Sequence, residues 1–74
     1  MKPEYRKEKN EHCYYKIFSK RKDRLKVLEV DSDSIMFGYY WPEWMEAYTM
    51  PCTEDLFYKK LYKVQDKITI AVMV

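Results

Sequence analysis

The chain has 74 residues and a mass of 9.2 kDa, enough for one small domain and too little for a doubly wound sheet or a parallel-strand barrel. Eight Tyr, three Phe, two Trp and five Met against a single Gly place 47% of the sequence in the hydrophobic class, which excludes wholesale disorder. The formal charge of +2 is too small to imply a nucleic-acid partner by itself.

In chain order, residues 1–11 read as a polar arm with Tyr5 as its one large apolar group, and residues 12–74 read as a single globular domain. HCYYKIFS (12–19) is rich in aromatic and β-branched residues and predicts a strand, with Tyr15 and Ile17 on one face and Tyr14, Lys16 and Phe18 on the other. KRKDR (20–24) is a charged turn and LKVLEVD (25–31) a second strand. Asp31, Ser32, Asp33 and Ser34 form turns through side chain to backbone hydrogen bonds. IMFGYYW (35–41) reads as a third strand, in which Gly38 marks a bulge or a close backbone approach. Pro42 interrupts, and MEAYTM (45–50) reads as a short fourth strand with helix over 43–49 as the competing assignment.

Residues 53–64 carry the clearest helical pattern. Thr53 caps, Glu54 and Asp55 fill the first turn, and Phe57, Leu61 and Val64 share a stripe. KITIAVMV (67–74) alternates strictly and predicts a closing strand, whose open edge would offer a route to homo-oligomers by strand pairing. The expected core is Ile17, Val27, Val30, Ile35, Phe37, Phe57, Leu61, Ile68, Ile70 and Val72.

The hairpin VLEVDSDSIMFGYY, followed by YTMP and then TEDLFYKKLYKV, resembles the SH3-like small β-barrel. The resemblance implies an α+β, mainly β fold: an SH3-like barrel of about five strands with one short helix before the last strand. The same order of elements fits a small open antiparallel sheet with a helix on one face.

No motif of catalysis or cofactor binding stands out, so neither enzymatic activity nor a cofactor is expected. His12, Cys13 and Cys52 fall short of a four-ligand zinc site, and adjacent strand residues point to opposite faces, so His12 is poorly placed to activate Cys13. Asp31 and Asp33 are explained by the turn, and one Gly cannot build a phosphate loop. The N-terminus MKPEYRKEKNEH is charged throughout and no apolar run approaches the ~20 residues of a membrane span, so a cytoplasmic chain with reduced thiols and no membrane contact is expected.

Charge and aromatic placement carry the functional expectation. Residues 16–26 hold six bases against Asp23, whereas residues 27–58 hold seven acids and no base, a bipolar arrangement that orients docking. The segment 36–50 is crowded with Tyr, Trp and Met, more than one small core can bury. Tyr39, Tyr40, Trp41, Glu43, Trp44, Met45, Glu46 and Tyr48 are therefore the candidate protein-binding surface. The leading expectation is a non-catalytic protein-binding module that occludes a site on a larger protein. In size and composition it is similar to small phage-encoded inhibitors of host enzymes or defence complexes. The alternative is a nucleic-acid-binding domain using Tyr14, Tyr15, Lys20, Arg21, Lys22 and Arg24.

Overall fold

The computed structural model of the chain describes residues 2–21 and 23–73, with side chains described to residue 70. Strands β1 (Glu4–Glu8), β2 (Tyr14–Arg21), β3 (Arg24–Val30) and β4 (Ile35–Tyr40) lead into helix α1 (Pro42–Tyr48). Strand β5 (Thr49–Pro51) and helix α2 (Glu54–Met73) complete the chain. The strands form one antiparallel sheet in the order β4-β3-β2-β1-β5. The α+β class, the five strands and a short helix before the last strand match the expectation from sequence, with α1 and β5 in the places expected for residues 53–64 and 67–74.

Register divides the sheet into two faces. Pairs such as Arg6↔Tyr15, Ile17↔Val27 and Leu25↔Tyr40 lie toward α1. There Cys13, Tyr15, Ile17, Leu25, Val27 and Met45 form one buried cluster. Pairs such as Lys7↔Tyr14, Tyr14↔Val30 and Val30↔Ile35 lie toward α2, where Tyr14 and Val30 pack with Phe57 and Val64. Both faces thus carry a core, which is how so short a chain buries so many large side chains. Leu25, Tyr15, Met45 and Val64 are core residues beyond the expected set.

Four assignments change. The polar arm contributes β1, which lies inside the sheet between β2 and β5. Its charges are tolerated because Arg6, only 7% exposed, donates from Nε to Thr49 Oγ1 at 2.7 Å and from Nη2 to the Thr49 carbonyl at 3.1 Å. Residues 45–50 are not one strand: α1 runs to Tyr48, with Pro42 in its first turn and Glu43 beside it, and only Thr49–Pro51 is extended.

The closing strand KITIAVMV is helical through Met73, so the edge it was to offer for self-pairing does not exist; β4 and β5 are the sheet edges. Thr53 caps α2 as expected, accepting from the Leu56 N–H at 3.2 Å, and the helix runs on through Gln65 and Asp66. Phe57, Leu61, Val64 and Ile68 make one stripe against the sheet. The β-branched residues beyond cost only about 0–0.7 kcal/mol each relative to alanine, too little to end a helix anchored this way.

Finally, Phe37 and Ile70 are exposed, at 64% and 62%, because α2 crosses only part of its face. Val72 lies outside the residues whose side chains are described.

The expected turn at Asp31–Ser34 is present, with the Asp31 N–H donating to the Ser34 carbonyl and the Ser32 N–H to Asp31 Oδ1. Gly38 marks a close approach: a Cβ there would stand 3.3 Å from the Tyr40 ring. The register shift falls instead in β2, between Ile17 and Ser19.

Candidate binding surfaces

The predicted protein-binding segment is divided among three environments. Tyr40, Trp44 and Met45 close the α1-side core. Met45 is 2% exposed, and the Tyr40 and Trp44 rings stack at 4.8 Å with Tyr15 edge-on to both. Tyr40 donates to Glu29 Oε1 at 2.9 Å and Tyr15 to Glu8 Oε1 at 3.2 Å. Burial above all pushes both phenols above their ordinary range, helped at Tyr15 by Cys13 and then Glu8, and at Tyr40 by its hydrogen bond to Glu29.

Trp41, Glu43, Glu46 and Tyr48 form the second group, and all four are exposed. Tyr48 rests against Trp44 at 5.4 Å, continuing a ladder Tyr40–Trp44–Tyr48 at four-residue spacing. Trp41 is covered on one side by the Arg24 guanidinium, 4.1 Å from its centroid. Tyr39 belongs to neither group, since its pairing with Lys26 turns it to the α2 side.

The predicted nucleic-acid set is also split. Tyr14 and Tyr15 are 8% and 1% exposed, core residues on opposite faces, and neither can stack a base. Lys20, Arg21 and Arg24 are exposed at the β2–β3 hairpin, where Arg21 pairs with Arg24. Lys22 lies outside the described residues. An open groove lined by Arg21, Asp23, Arg24 and Tyr39 joins this tip to the aromatic segment, so the two surfaces read separately from sequence meet.

Sequence reasoning missed a third feature. On the α2 side, beyond the helix, Phe18 and Phe37 lie 5.9 Å apart, with Tyr39 exposed on the same face. Lys16 Nζ lies 5.2 Å from the Phe18 centroid and Lys26 Nζ 5.7 Å from that of Phe37. Lys16 also donates to Tyr58 Oη on α2. That bond holds the Tyr58 phenol below its usual range and the Lys16 ammonium above its own. Alternation already sets Phe18 on the face of Tyr14 and Lys16; the missing signal was the pairing of β3 with β4, which turns Phe37 to that same face.

His12 is exposed on the β1–β2 turn while the Cys13 thiol is buried, and desolvation pushes that thiol up to about 12, where it stays protonated and inert. Cys13 and Cys52 are both free thiols. Among the described residues no group of three or more His, Cys, Asp or Glu is placed to hold a metal, and no helix is long and apolar enough to cross a membrane. No protein-family model, characterised protein or solved structure matches this chain.

Proposed function

We propose that this chain is a non-catalytic protein-binding module that occludes a site on a larger protein through Trp41, Glu43, Glu46 and Tyr48. The observation that carries the reading is two large aromatics held in place while open to solvent, at 47% for Trp41 and 60% for Tyr48. Trp41 is clamped by Arg24, and Tyr48 by the ladder beneath it. Side chains ordered in advance lose little entropy on binding, and Trp and Tyr are the residues on which interfaces concentrate their energy. Glu43 and Glu46 give the rim a negative sign, so the partner surface is basic around an apolar pocket.

The order of elements supports the SH3-like reading of the fold. A meander runs through β1 to β4, a short helix follows, and β5 returns beside β1.

The test is affinity capture from the native cytoplasm with three baits: the wild type, Trp41→Ala/Tyr48→Ala and Glu43→Lys/Glu46→Lys. A partner retained by the wild type and lost from both variants supports the reading. Equal capture by all three removes it. Trp44 is unsuitable for this purpose because it closes the core.

A further inference from the structure

The geometry points to a single-stranded nucleic-acid site on the α2 side of the sheet, on a face separate from the proposed protein contact. Bases would stack on Phe18, Phe37 and Tyr39, and phosphates would run along Lys16, Lys26 and the hairpin residue Arg21. Three observations carry this.

The rings are exposed at 39%, 64% and 61%, on strands whose backbones fix their spacing. Helix α2 packs against Tyr5, Leu28 and Ile35 and leaves these rings open, so exposed aromatic rings, Phe18 and Phe37 tilted 45° to each other, stand where a continuous core would otherwise be. Single strands are bound by such a surface, because every base presents a π-face to an aromatic side chain and unpaired bases splay to meet it.

The charge has the matching sign and position. Lys16 and Lys26 lie against the rings themselves, within reach of a backbone whose bases stack there. Glu29, the single carboxylate on β2, β3 and β4, faces the α1 side and accepts a hydrogen bond from Tyr40. The strands of this face therefore offer phosphate lysines with no carboxylate among them, and at the tip the groove of Arg21, Asp23, Arg24 and Tyr39 adds two guanidinium groups and one carboxylate.

The chemistry selects single strands over duplex. Aromatic rings lying on a sheet have no stacking partner in a paired helix, whose bases already stack on one another.

The experiment is fluorescence anisotropy of a labelled oligothymidylate of roughly twelve nucleotides against the whole chain, with a duplex of equal length beside it. Salt is varied from about 50 to 200 mM. The wild type is expected to bind the single strand more tightly than the duplex. Phe37→Ala and Phe18→Ala should each weaken binding about 5- to 150-fold while leaving the salt slope unchanged. Lys26→Ala and Arg21→Ala should each reduce that slope by about 0.7. All four positions are exposed, and circular dichroism melts verify that the variants fold.

Absence of binding at the lowest salt overturns the proposal. So does duplex preference, or affinity indifferent to Phe37. Displacement of the oligonucleotide by polyglutamate at equal charge would identify the face as a docking site for acidic protein and would equally overturn it. Glu43→Lys/Glu46→Lys, which tests the protein contact, must still bind the oligonucleotide, so the two readings fail separately.

Discussion

Replacing Thr49 by Val tests how β1 is held in the sheet. Valine keeps the shape of threonine and deletes Oγ1, which accepts the Arg6 Nε–H at 2.7 Å. Arg6 is permanently charged and its side chain is 8% exposed, so water cannot replace the lost acceptor. A hydrogen bond to a charged group contributes about 1.5–3 kcal/mol. The Oγ1–H also donates to the Met45 carbonyl, which keeps the Thr49 backbone N–H as a second donor, so that loss adds little. The net cost is about 2–3 kcal/mol, a large share of the total for a chain this short. At about 4–8 °C per kcal/mol the melting temperature should fall by roughly 10–20 °C. Thermal and urea melts followed by circular dichroism measure it, with Thr49→Ser expected to stay near the wild type. In a cycle with Arg6→Met the two changes should be coupled by about 1–2 kcal/mol. A Thr49→Val protein melting within about 2 °C of the wild type, or strict additivity with Arg6→Met, would refute this account of β1.

Three further outcomes follow from the same structure. Deleting residues 2–8 should abolish cooperative unfolding, because β1 separates β2 from β5; a detachable arm would leave the melt unchanged. Gln65→Pro should cost about 3 kcal/mol or more and reduce the helical signal at 222 nm, since α2 is continuous there; a turn at this position would tolerate proline. Alkaline pH should destabilise the fold through Cys13, whose thiol sits at about 12 in the folded chain against about 8.5 when unfolded. Between those values the unfolded state gives up its proton first, so stability is complete below about pH 8.5 and falls above it by up to about 1.4 kcal/mol per pH unit. Cys13→Ala should flatten that slope between about pH 8.5 and 10 in urea titrations, and an unchanged slope would show that the thiol is not the group responsible.

Local chemistry was legible in the sequence and competition between distant segments was not. The faces of β2 and the turn at Asp31–Ser34 follow from alternation and from side-chain oxygens within reach of the next N–H, and both stand as read. β1 is different. EYRKE has no strand signature, and what makes it extended is pairing on both sides together with Thr49, forty-three residues away, accepting the Arg6 guanidinium. At the other end, KITIAVMV satisfies a period of two as well as any strand. Through Met73 it folds as helix because Ile68 continues the stripe begun at Phe57, a relation visible only when the span of α2 is taken as one element. The aromatic segment shows the same limit. Alternation establishes that its rings cannot all be inside, but α1 rather than a strand over 42–48 decides which ones are, by stacking Trp44 on Tyr40 and leaving Trp41 and Tyr48 outside.

The carboxylates of Glu29, Glu43 and Glu46 and the ring-contacting Lys16 and Lys26 lie on opposite sides of the sheet, and this gives the two proposed surfaces opposite responses to one substitution. Glu29 turns to the α1 side, and Glu43 and Glu46 stand on α1 itself, while Lys16 and Lys26 turn to the α2 side. Reversing Glu43 and Glu46 to Lys removes negative field from the whole molecule without touching the rings that would stack bases. Exposed charges act over about 8–10 Å at ordinary ionic strength, so the effect at the far face is on encounter and not on the bound contacts. The association rate for an oligonucleotide should therefore rise a few-fold at low salt and converge on the wild-type value as salt is raised, with the dissociation rate unchanged. The same double variant should lose a basic protein partner. Stopped-flow mixing with labelled oligothymidylate separates the two rates. A fall in association, or a change in dissociation, would mean that Glu43 and Glu46 share the nucleic-acid contact, and the division of labour between the two faces would be wrong.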